Sequence, residues 1–278
     1  MINIIIILII FLIIVLSKKK KEYFNKNNWF VKRNFIKKKE LLKFTNKNLI
    51  KEIGNNNVKI KLFNDHLIKE DIGSYAYSST KKFTLNKILK NKSNDNIKYQ
   101  YISLLSNTNP VDLWFNKNTK KIISKINKSF NKKNSKYKVK LRINTVPWIY
   151  RSHFDCESNY SVILNGSRTF LLFKYDEDIN KIRNLLLEIA NLNVKEIISI
   201  LKKYNIKDYE IIKLNTGDLI YIPIKIWHFV EITEKENNIG IMINFIFTNN
   251  IIDSINCSKK FNKIWSKQAK KCKFNKCL

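Results

Sequence analysis

The sequence predicts a mainly β protein, an antiparallel sandwich or barrel, and three observations lead there. Beyond Tyr137, seven short runs rich in β-branched and aromatic residues follow one another, at 139–143, 160–164, 169–173, 210–214, 218–222, 227–232 and 239–247. Turn-forming pairs stand between them: Asn165-Gly166, Thr216-Gly217 and Asn237-Asn238. The 278 residues are 44% apolar and 12% aromatic, which supplies one good-sized core and excludes a wholly disordered chain. Five Gly and three Pro exclude a collagen-like or Pro-rich linker protein.

In chain order, the first element is an apolar run over residues 4–16, followed at once by Lys18, Lys19, Lys20 and Lys21. About 16 helical residues reach about 24 Å, a little short of a hydrocarbon core of about 30 Å, and snorkelling lysines cover such a gap. A cleaved signal carries its positive charge before the apolar run and small residues after it. Here the order is reversed, so residues 1–17 are expected to be an uncleaved single-pass transmembrane helix. The positive-inside rule puts the lysines, and the core that follows, on the cytosolic side of the membrane.

Residues 18–48 read as a basic linker passing into a short helical or irregular segment. Residues 49–136 read as a mixed α/β support region, with strands at 58–63 and 99–105. Helices are expected there at 84–89, N-capped by Thr84, and at 119–130. The β core occupies 137–250, interrupted by a helical insert at 176–204. Ile179, Ile182, Leu185, Leu186 and Ile189 give one run at helical spacing, and Val194, Ile197, Ile198 and Leu201 give a second. Residues 251–278 form a basic tail. Cys156, Cys257, Cys272 and Cys277 are too few and too irregular for a disulfide framework, and the sequence predicts free thiols.

Lys and Arg number 53 against 22 Asp and Glu, a formal charge of +31. Residues 18–48 carry twelve basic and two acidic residues, and 259–278 carry eight Lys and no acid. The charge therefore gathers at the ends instead of forming a stripe on the folded part. A solvated Lys-rich surface accounts for it. Contact of the Lys-rich ends with nucleic acid or anionic lipid is the functional alternative.

The chain has three His, and two frame the β core. His153 and Asp155 form a His-x-Asp pair, and positions i and i+2 of a strand point to one side. His228 lies 73 positions beyond Asp155. A sandwich bringing its strand face to face with theirs completes two imidazoles and a carboxylate around a metal, the facial triad of non-haem Fe(II) oxygenases. A hydrogen-bonded His–Asp pair and a core His beside Trp227 remain open as blander readings. The Asn165-Gly166 turn, read as a two-residue hairpin, sets Ile163 opposite Arg168. Asn159 then lies on one face with Arg168 and Phe170. A guanidinium fixed there suits a carboxylate, such as the distal end of a dicarboxylic keto acid. The chain must turn at Cys156-Glu157-Ser158 for these groups to meet.

His153-Phe-Asp155, then Asn159, then Asn165-Gly-Ser-Arg168-Thr-Phe-Leu-Leu-Phe, resembles the signature of the JmjC and cupin-like oxygenases. Thr216-Gly-Asp218-Leu-Ile-Tyr-Ile-Pro223-Ile-Lys-Ile-Trp227-His228 is similar to a stretch of the factor-inhibiting-HIF-type hydroxylases, although here Trp227 directly precedes His228. Asn244 matches the Asn that follows the second His in that subgroup. The resemblance spans about 140–247. It implies a double-stranded β-helix (jelly-roll) fold, with Fe(II) held by the catalytic His153, Asp155 and His228. It also implies 2-oxoglutarate as cosubstrate, bound through Arg168 with Tyr150, Asn159 and Asn244 lining the pocket. The family carries Lys where this chain has Arg168, and the swap from point charge to fork is not conservative.

The expected function is a membrane-anchored Fe(II)/2-oxoglutarate-dependent dioxygenase hydroxylating a protein side chain. Demethylation, or oxidation of a modified nucleoside, uses the same chemistry. The alternative is a non-catalytic cupin-like binding or structural module tethered to a membrane.

Overall fold

The computed structural model describes residues 29–64, 79–90, 97–131, 137–145, 148–173, 192–224, 226–232 and 239–247. Twelve strands are described there. In the first part of the chain they are β1 (Phe30–Lys32), β2 (Asn57–Asn64), β3 (Ser79–Thr84) and β4 (Ile97–Leu104). Next come β5 (Tyr137–Thr145), β6 (Trp148–Phe154), β7 (Ser158–Asn165) and β8 (Arg168–Phe173). The last four are β9 (Tyr209–Leu214), β10 (Leu219–Ile222), β11 (Trp227–Ile232) and β12 (Ile239–Phe247). All pairings are antiparallel. One sheet runs β1-β10-β7-β12-β5-β4-β2-β3 and the other β6-β11-β8-β9.

The core strands nest. β5 pairs with β12, β6 with β11, β7 with β10 and β8 with β9, so the second half of the core folds back along the first. That nesting across two sheets is a jelly roll. Between the sheets lies an apolar layer that includes Ile163, Phe170, Leu172, Ile220, Ile222, Val230 and Met242. The strand positions follow the alternation of the sequence closely, because each run has one face to bury.

The Asn165-Gly166 turn exists, with Gly166 at φ +81°. The hairpin register expected from it does not. β7 bonds to β10 and β12, while β8 bonds to β11 and β9 in the other sheet, so Ile163 does not face Arg168. A left-handed turn residue fixes how sharply the chain reverses, not which strands pair afterwards. The jelly roll uses this corner to change sheets.

The helices cover the outer faces. The long helix Pro110–Ser129 is N-capped by Asn109, whose side chain accepts from the Asp112 amide, and has Pro in its first turn. It buries Val111, Phe115, Ile122 and Ile126 against the larger sheet. The helix Val194–Lys203 is the second half of the expected insert. A capping box of Asn193 and Glu196 starts it, and Val194, Ile197 and Leu201 pack on Leu171, Phe173 and Phe229 of the smaller sheet. The first half of the insert, at 176–191, lies outside the described residues.

Two expectations need correction. Residues 29–48, the later part of the span read as a basic linker passing into a short helical or irregular segment, do turn helical at Lys38–Leu41 but also join the fold: β1 adds to the edge of the larger sheet beside β10, and Phe35, Ile36, Leu41 and Phe44 are buried. Lysines dominated that reading, but their chains lie over aromatic rings, as Lys32 does over Phe35 at 5.6 Å, while the apolar residues between them fill the core. Gly217, at φ +97°, accepts a hydrogen bond from the Ile36 amide and holds this segment down. Thr84 is not a helix cap. It ends β3 opposite Asn57, and the short helix starts at Asn86, because the ladder with β2 outweighs a cap preference. Among the described residues no helix is long and apolar enough to cross a membrane. The expected transmembrane run at 4–16, His66 and the basic tail at 251–278 all lie outside those residues.

Candidate metal centre

The site begins with a strand pairing. β6 and β11 are hydrogen-bonded neighbours in the smaller sheet, and their register sets His228 directly opposite His153. Cross-strand partners project to one side, and the two rings lie 4.3 Å apart between centroids, inclined at 53°. The strands therefore adjoin within one sheet and do not face each other across a sandwich, as the sequence predicted. Asp155 follows β6 directly, before the chain bends at Cys156 and Glu157 into β7. That bend is where the sequence required a turn.

The donor atoms of His153, Asp155 and His228 all lie within 4.8 Å of one another. His228 is 4% exposed. Its Nδ1 lies 3.1 Å from the Ile226 carbonyl oxygen, so Nδ1–H donates there and the Nε2 lone pair turns toward the site. Nε2 and Asp155 Oδ2 are 3.8 Å apart, too far for a hydrogen bond. Two lone-pair donors that approach without bonding each other suit a shared cation. Burial pushes the Asp155 pKa up, but His153, His228, Arg142 and Lys140 together pull it below the usual carboxylate range. The carboxylate is thus ionised, the form that binds metal. The donor set fits a divalent transition metal with open positions.

A chain of side-chain hydrogen bonds supports Asp155. Asn159 Nδ2 donates to Asp155 Oδ2 (3.1 Å), and Ser161 Oγ donates to Asn159 Oδ1 (2.8 Å). Asn244 Nδ2 donates to Ser161 Oγ (2.6 Å), and Arg142 Nε donates to Asn244 Oδ1 (3.3 Å). It leads from a cation on β5, across β12 and β7, to the anionic ligand, every donor pointing the same way. The sheet register makes it possible, with Asn244 opposite both Lys140 and Ser161. Asn159 and Asn244, expected to line a cosubstrate pocket, do line the cavity while linked in this way. Sequence reasoning gave Arg142 and Ser161 no role, although Lys140, Arg142 and Asn144 alternate with Leu141 and Ile143 on β5.

The three donors open on a cavity whose walls include Arg142, Tyr150, Phe170, Ile222, Val230 and Met242. Tyr150 donates its hydroxyl to Asn144 Oδ1 and accepts from Gln100 Nε2 (3.1 Å). Arg168 is fully buried and does not line the cavity surface. Its Cζ lies 5.8 Å from the Tyr150 ring centre, and among the described residues Nε, Nη1 and Nη2 have no partner within hydrogen-bond geometry. Burial pulls its pKa down, with the Tyr150 side chain acting the other way. The sequence predicted it beside Asn159 on a shared face; it sits instead behind Tyr150, and Phe170 is the β8 residue on the wall.

Cys156 is disulfide-bonded. That corrects the expectation of a free thiol at Cys156, since spacing along the chain says little about distance in space, while Cys257, Cys272 and Cys277 lie outside the described residues.

No curated protein matches the chain. A profile of the cupin-like domain matches residues 17–253, most of the sequence, and it takes in the strands of the jelly roll together with all three metal-ligand candidates. The chain belongs to the cupin-like domain family.

Proposed function

We propose that the protein is an Fe(II)/2-oxoglutarate-dependent dioxygenase that hydroxylates a protein side chain, held at a membrane by residues 1–17. The convergence of His153, Asp155 and His228 donor atoms within 4.8 Å carries this reading. Those three residues would hold the iron, with Asn159 fixing one carboxylate oxygen and the Ile226 carbonyl fixing the His228 tautomer. When bound, iron and 2-oxoglutarate together supply the oxidation: one atom of O2 enters the substrate C–H bond, and the other leaves in succinate as CO2 is lost.

The chain's own part is to bind, orient and exclude water. Arg168, a buried cation with no hydrogen-bond partner in good geometry among the described residues, would receive the distal carboxylate of 2-oxoglutarate. Phe170, Ile222, Val230 and Met242 give the cavity an apolar wall that keeps bulk water from the reacting atoms. The Arg142–Asn244–Ser161–Asn159 chain holds the Asp155 carboxylate in place as ligands exchange around it.

The non-catalytic, membrane-tethered cupin-like module draws on one observation: Arg168 lies behind the cavity wall, not on it. Anaerobic addition of Fe(II) and 2-oxoglutarate decides between the two. The oxygenase develops a weak visible metal-to-ligand charge-transfer band, absent in His228→Ala. The tethered module shows no band at millimolar 2-oxoglutarate.

A further inference from the structure

The strand that lends Arg142 to the cavity wall carries cationic donors that the hydrogen-bond chain to Asp155 does not use. Arg142 faces the cavity, and strand alternation puts Lys138 and Lys140 on its face of β5, while Leu141 and Ile143 point into the core. Lys138 is paired with Glu157 at 3.7 Å. Lys140 has neither a hydrogen bond nor an ion pair among the described residues. Among the described residues Arg142 donates only its Nε, to Asn244, and rests its guanidinium 5.1 Å from the Tyr150 ring centre, which leaves both Nη groups without a described partner.

Two half-buried cations set side by side repel each other. Arg142 is the largest cause, ahead of burial, of a Lys140 pKa pulled down to about 8. The acids that act the other way on Lys140 are Asp155 and Glu157. The first is a metal-ligand candidate, and the second is already paired to Lys138. An anionic group arriving at the mouth would relieve the repulsion and find unused donors on both side chains.

We propose that Lys140 and Arg142 form an anion subsite at the mouth of the cavity, which takes a carboxylate or phosphate of the substrate. The inference rests on the oxygenase reading of the cavity and gives that enzyme a substrate class, an acidic or phosphorylated one. The subsite is separate from Arg168, which lies buried behind Tyr150.

The test is calorimetric titration of the full chain, without metal or 2-oxoglutarate, with inorganic phosphate in one arm and acetate in the other. Saturable binding is expected in at least one arm, weakened about tenfold or more by Lys140→Gln and by Arg142→Gln. The substitution Arg142→Lys restores part of it. Tighter binding of phosphate than acetate points to a phosphorylated substrate, and comparable binding points to acidic side chains. Lys195→Gln, at an exposed lysine on the helix Val194–Lys203, leaves the affinity unchanged. The subsite is overturned if neither anion binds up to about 10 mM, if Lys140→Gln binds like wild type, or if Arg168→Gln abolishes binding. Equal weakening by Lys195→Gln also overturns it, since the attraction would then be diffuse. Because no metal is needed, failure to hold iron would remove the oxygenase reading and leave this result untouched.

Discussion

A buried guanidinium without a well-placed hydrogen-bond partner is costly to keep, and among the described residues Arg168 is such a group. Its cost argues for a ligand. The substitution Arg168→Met is therefore expected to leave the ligand-free protein as stable as wild type, or more stable by about 1–4 kcal/mol, while removing 2-oxoglutarate binding. Denaturant unfolding beside calorimetry checks both halves, and a large loss of stability would show that the arginine is structural. Lys140 gives a second reading at this scale. Its folded pKa, about 8, lies below the ordinary lysine value of 10.5, so the folded state binds fewer protons than the unfolded one between them. Stability should rise with pH across that window, and Lys140→Gln should flatten the rise. Identical pH profiles for the two proteins would contradict the placement of Lys140 beside Arg142. Residues such as His153, Asp155 and His228 were legible because their types and spacing are rare in the chain. Ser161 and Arg142 were not, because a hydroxyl or a cation on an alternating strand has no signature until the register sets it beside Asn244.

Elements, not residues, bring the histidines together: the β6–β11 register does so, and the smaller sheet that holds it is braced from outside by the helix Val194–Lys203. Ile197 is fully buried in that contact. Ile197→Ala should cost about 2–5 kcal/mol of stability, read by denaturant unfolding, through lost burial and a residual cavity. A cost well under 1 kcal/mol would mean that the helix is not packed as described. Strand positions were legible because each core run has one face to bury. Pairing was not. The Asn165-Gly166 corner reads as a hairpin locally, and only the competition of β10, β11 and β12 for the same edges sends β7 and β8 into different sheets. The segment at 29–48 was obscured by its lysines, whose charged ends reach solvent while Phe35, Ile36 and Phe44 between them are buried.

For the whole molecule, the two charged ends and the apolar run at 4–16 bracket a domain whose family match covers 17–253. The anchor proposed on that run predicts that alkaline carbonate leaves the full-length protein in the membrane fraction, and that deleting residues 1–17 releases it. Recovery of the full-length protein in the wash would end that proposal. The central claim concerns the metal, and iron content after anaerobic reconstitution tests it most directly. One iron per chain is expected in the wild type and in His66→Ala, with iron lost in His153→Ala, Asp155→Ala and His228→Ala, since two of three ligands cannot hold Fe(II) facially. Wild-type iron content in His228→Ala would contradict it.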